Sequence, residues 1–81
     1  MSEAIYTNIE AELKGLQDKL NGIDDLDNQE EKYERAKTVA TVCSYFKRIL
    51  FELDDDDAKR LDKMAQDLYI KGYIVMMNNL N

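Results

Sequence analysis

Lys47, Arg48, Lys59, Arg60 and Lys63 are the residues whose type and spacing come nearest to a chemistry. Two of them precede and three follow an acidic run, Asp54-Asp55-Asp56-Asp57. If the chain reverses near Asp55, the five cations converge into a patch that could hold a phosphate, because Lys and Arg donate charge-assisted hydrogen bonds to phosphate oxygens. The other account of the same residues is mutual neutralisation with Glu52 and the aspartates, which contributes little for each exposed pair. Acidic runs also raise the question of a cation. A calcium loop of the EF-hand type needs oxygen ligands at alternate positions, glycine at the sixth and glutamate at the twelfth. Counted from Asp54, those positions hold Lys59 and Ala65, and the run from Asp24 to Asp27 fails the same test. Both runs read as solvated helix caps, and no metal is expected.

Nucleophilic catalysis finds no support in these residue types. The chain has no histidine and one cysteine. Cys43 therefore lacks an imidazole to activate it and reads as a small hydrophobe in a core. A reduced thiol fits an intracellular compartment. There is no glycine-rich phosphate loop, and the carboxylates sit in loops and caps where nothing suggests shifted pKa values. The expectation is a protein that is not an enzyme and carries no cofactor.

The 81 residues make one domain, 1–81, with a net charge of −6, no proline and three glycines. Without a basic stripe to displace counterions, binding to duplex nucleic acid is not expected. A small anionic ligand held by a local cluster of cations stays open. Glu3 near the start, with no basic region ahead of an apolar run, gives no sign of a secretory leader. The apolar part of the last helix is too short, and too interrupted by Lys71, to span a bilayer. A soluble, cytoplasmic protein is expected.

Helices must position whatever these residues do. Ile5, Ile9, Leu13, Leu16 and Leu20 draw one apolar stripe and predict a short first helix from Ser2 or Thr7 to Leu20. Thr7 with Glu10 fits a capping box, with Ser2 as the competing cap, and Asn21-Gly22 is a stop that tolerates the left-handed conformation. Asn28 with Glu31 caps a second helix of about 24 residues. Its apolar set is Tyr33, Ala36, Ala40, Cys43, Phe46, Leu50 and Leu53, and the small residues at 36, 40 and 43 invite close packing. The third helix begins in the acidic run and continues from Asp57 to Leu80. Leu61, Ala65, Leu68, Gly72 and Val75 form one stripe of it. Tyr69, Tyr73, Met76 and Leu80 form a second, and Ile70, Ile74 and Met77 a third.

A helix with so narrow a polar face is buried by neighbours on several sides. The competing reading of residues 69–75 is a β-hairpin turning at Lys71-Gly72, but nothing else reads as a strand and an isolated hairpin is marginal in water. Gly72 is either a tolerated defect or a place where another backbone comes close. The fold expected is all-α: the short first helix plus a long antiparallel helical hairpin, assembled as a homo-oligomer. Tyr69, Gly72, Tyr73 and Met76 are the expected interface, because helix three shows more apolar perimeter than two short neighbours can cover.

The segment Asp67-Leu68-Tyr69-Ile70-Lys71-Gly72-Tyr73-Ile74-Val75-Met76-Met77 resembles the last helix of phage anti-CBASS cyclic-nucleotide sponge proteins. Ile9-Glu10-Ala11-Glu12-Leu13-Lys14, preceded by Tyr6, is similar to that family's first helix. The chain departs from the pattern in needing one extra residue before Gly72, in having Ala65 where an Arg stands, and in spacing Tyr6 and Lys14 more closely. The resemblance implies a small all-helical homo-oligomer, a hexamer, with ligand pockets between protomers. It implies that Tyr6 stacks on a base of a cyclic di- or trinucleotide and that Lys14 meets a phosphate. Read from the residues alone, Tyr6 is an amphipathic residue at a helix start and Lys14 a solvated one. Two functions follow as expectations. One is sequestration of a cyclic oligonucleotide messenger, which blunts a bacterial antiviral response. The other is an acidic interaction protein or inhibitor that docks on a basic surface of a host protein, steered by the negative charge.

Overall fold

The computed structural model describes residues 2–80, and three helices account for most of them. They are α1 (Ser2–Asn21), α2 (Gln29–Phe51) and α3 (Asp56–Asn78), with a single 3₁₀ turn at Ile23–Asp25 between the first two. Among the described residues there is no strand, so residues 69–75 are helical and the hairpin reading fails. The first helix is not short: it has 20 residues against 23 in each of the others. It starts at Ser2, which leaves Thr7 inside the helix.

The caps form where side chains can take up free amides. Asn28 Oδ1 accepts from the backbone N–H of Glu30 at 2.8 Å and of Glu31 at 3.2 Å. Asp55 Oδ1 accepts from the N–H of Ala58 at 3.3 Å, and Asp56 and Asp57 stand in the first turn, where the helix dipole favours negative charge. The end of α1 differs from expectation. Gly22 has φ −87°, so it is not left-handed. The helix instead tightens into the 3₁₀ turn, with Asp25 N–H donating to Gly22 O and Leu26 N–H to Ile23 O, both at 3.2 Å. Gly22 N–H donates to Asp18 O at 3.1 Å as α1 ends, and the turn continues the chain without a reversal and buries Ile23.

The helices run up, down and up. Near one end Tyr6 meets Asp55 and Glu10 meets Arg60, and near the other Leu20 and Ile23 share a hollow with Lys71, Ile74 and Val75. Thus α1 is parallel to α3 and antiparallel to α2. The core runs along the seam: Ile9, Leu13, Leu16 and Leu20 from α1, Ala36, Val39, Cys43 and Leu50 from α2, and Ala58, Leu61, Ala65 and Leu68 from α3. Each large side chain buried there contributes about 1.5–3 kcal/mol of transfer free energy. The stripe of α1 begins one residue later than its spacing suggests. Ile5 is exposed, and Tyr6 takes the inward position.

The hairpin of α2 and α3 is closely packed because two alanines, Ala36 and Ala40, meet a glycine. A Cβ on Gly72 would stand 3.2 Å from Ala36 O and 3.3 Å from Ala40 N. This is the close backbone approach that one reading of Gly72 anticipates. It also takes Gly72 out of the expected oligomer interface, since the residue is buried inside its own chain.

Candidate functional site

The second stripe of α3 and the outer edge of α2 build a groove that no α1 residue lines. Two hollows make it up, of about 600 Å³ and 360 Å³, and they share Ser44 and Tyr69. The wider one is bounded by Lys47, Arg48, Phe51 and Glu52, the narrower by Tyr33, Lys37, Thr41, Tyr73 and Met76. Both hollows lie open to solvent rather than enclosed. Tyr69 and Tyr73 are one helical turn apart, with ring centroids separated by 6.2 Å and planes inclined by 29°. Lys47 Nζ, on α2, lies 5.9 Å from the Tyr69 centroid on α3, and within α2 Lys37 Nζ lies 6.0 Å from that of Tyr33. Each is at cation–π distance, worth about 0.5–1 kcal/mol at an exposed site.

The chemistry on offer is recognition. Three phenol rings provide faces on which a planar group can stack. Lys37, Lys47 and Arg48 supply three positive charges, with Glu52 as the single carboxylate on the lining. In a chain of net charge −6 this is a local reversal of sign. Among the described residues, no group of three or more metal-ligating side chains comes together.

The basic cluster read from the sequence is divided by the fold. Lys47 and Arg48 turn to the groove. Arg60 turns to α1, where its Nη2 donates to Glu10 Oε1 at 3.1 Å and stands 3.8 Å from Asp57 Oδ1. Lys59 and Lys63 are exposed on α3. The hydrogen bond and positive charge of Arg60, followed by those of Lys14, hold the Glu10 carboxyl below its ordinary 4.5, and the same bond from Glu10 raises the Arg60 guanidinium.

Tyr6 is 7% exposed and packed in the core. Its hydroxyl donates to Asp55 Oδ1 at 2.5 Å, so no base can stack on its ring while α1 stays docked. Lys14 is exposed and ion-paired to Glu10 at 3.4 Å, one turn away. Tyr6 thus belongs to the α1–α3 seam, and Lys14 to the exposed face of α1. Of the expected interface residues, Tyr69, Tyr73 and Met76 line the groove. Cys43 is wholly buried, and burial pushes its thiol up to about 11, which keeps it protonated and unreactive.

Sequence reasoning missed Tyr33, Lys37 and Phe51 as site residues. The signal was present in the i, i+4 pair Tyr33–Lys37, which repeats the association of Lys47 with Tyr69, but the pairing of α2 with α3 was needed to place both on one groove. No helix among the described residues is long and apolar enough to cross a membrane. No protein-family model matches this chain, and neither a curated protein nor a solved structure matches it.

Proposed function

We propose that this chain is a non-enzymatic binding protein that sequesters a cyclic oligonucleotide, acting as a homo-oligomer against bacterial antiviral signalling. The arrangement of Lys47 over Tyr69, with Tyr73 stacked beside it, carries this reading. A base laid on the tyrosines would bring its phosphate within reach of cations already held in the groove. Stacking on an aromatic ring contributes about 1–3 kcal/mol per base, and lysine serves a phosphate as a point charge. In this reading the ligand meets the α2–α3 groove, and the resemblance in the first and last helices contributes the ligand class.

Calorimetric titration with cyclic di- and trinucleotides tests it. Binding is expected at micromolar concentration, weakened on the order of 10-fold by Tyr73→Ala and by Lys37→Glu. An absence of heat with every cyclic nucleotide would remove the proposal. A second reading, an inhibitor that docks on a basic host surface, is favoured by one observation: Asp54, Asp55, Asp56 and Asp57 are all exposed at the tip between α2 and α3. That tip would steer the chain toward positive charge.

A further inference from the structure

Phe51 is the most exposed large hydrophobic residue of the described chain, at 83%, and it stands on the rim of the wider hollow beside Arg48, Glu52 and Tyr69. Such a residue next to an unfilled hollow invites a partner that supplies one apolar group and accepts another. The rim also carries both signs of charge, Lys47 and Arg48 against Glu52 and the aspartates that follow it. No ion pair among the described residues uses Lys47, Arg48 or Glu52.

We infer that two copies of this chain pair through this rim about a two-fold axis near Leu50, Phe51 of each copy entering the other's hollow. A surface that is its own partner must contain matched opposites, because each residue meets its counterpart twice. The rim meets that condition. An antiparallel crossing of α2 on α2 places Arg48 of one copy against Glu52 of the second. The same crossing brings Lys47 toward the start of the second copy's acidic run. Phe51 then stands level with Ile49 of the second copy, at the Arg48–Glu52 end of the wider hollow. The pairing rests on the self-association proposed above; it engages Arg48 at the Glu52 end of the wider hollow and leaves Tyr33, Lys37, Tyr69 and Tyr73 to the ligand.

Sedimentation equilibrium of the full chain without nucleotide tests the face. The native chain is expected to dimerise. Arg48→Glu and Glu52→Arg should each raise the dissociation constant on the order of 100-fold, since each places like charges together twice. An equimolar mixture of these two variants should regain the native affinity, because every contact across the axis is then opposite in sign. Phe51→Asp should be monomeric with unchanged helical circular dichroism. A chain that stays monomeric at millimolar concentration overturns the inference. So does an assembly of any size that both reversals leave intact, or a mixture that fails to pair. None of these results depends on nucleotide binding, which calorimetry reads separately.

Discussion

Tyr6 ties α1 to the start of α3 through a single oxygen. Its hydroxyl reaches across 49 positions of sequence to Asp55, the residue that also caps α3. The hydrogen bond to Asp55, then burial, then the negative charges of Asp55 and Asp57 push its pKa from 10.0 up to about 12. The folded chain therefore holds this proton more tightly than the unfolded chain. The stability it contributes is complete below pH 10 and is lost as pH rises toward 12. Urea midpoints followed through that alkaline window should fall steeply for the native chain. They should fall less steeply for Tyr6→Phe, which starts from a lower value, and parallel curves would show that the bond contributes nothing. The position of Tyr6 was not legible in the sequence. Ile5 and Tyr6 are both acceptable at the head of the apolar stripe, and the residue that decides between them lies far along the chain. The same long reach separates Arg60 from the other cations, because Glu10 on α1 claims it.

Helix pairing turns on one glycine and is indifferent to another. Gly15 lies in α1, and a Cβ there would meet nothing within 4 Å, whereas one on Gly72 would press on the backbone of α2. Alanine is favoured over glycine in a helix interior by about 1 kcal/mol, and Gly15→Ala should stabilise by about that amount. At Gly72 the same gain is opposed by overpacking, which costs about 1–3 kcal/mol. Because the obstructing atoms are backbone rather than a movable side chain, Gly72→Ala should destabilise by about 1 kcal/mol and Gly72→Leu by about 3 kcal/mol. Midpoint shifts at constant denaturant slope would measure all three. Equal stabilisation by both alanine variants would mean that α2 and α3 do not approach so closely. Much of this level was legible: the small set Ala36, Ala40 and Cys43 and the lone Gly72 each announce a close contact. What the sequence withheld was that Gly72 meets Ala36 and Ala40. Gly22 was misread because a turn of 3₁₀ helix can end α1 as well as a left-handed residue can.

At the scale of the whole molecule, three stripes of α3 meet three fates. Leu61, Ala65, Leu68 and Gly72 are buried with Val75 half-buried, Tyr69, Tyr73 and Met76 line the groove without Leu80, which is exposed, and Ile70, Ile74 and Met77 are exposed. The helical class follows from the apolar spacing, which is local. The groove belongs to two helices at once, so no single stripe reveals it. The proposed function rests on this acidic chain concentrating Lys37, Lys47 and Arg48 beside three tyrosines, where an anionic planar ligand would be held. The five tyrosines, at positions 6, 33, 45, 69 and 73, report on that claim separately. Aromatic carbon–proton NMR spectra recorded while a cyclic dinucleotide is added would test it most directly. The account predicts that the resonances of Tyr33, Tyr69 and Tyr73 shift while those of Tyr6 and Tyr45 stay in place. Shifts confined to Tyr6, or none at all at saturating nucleotide, would contradict it.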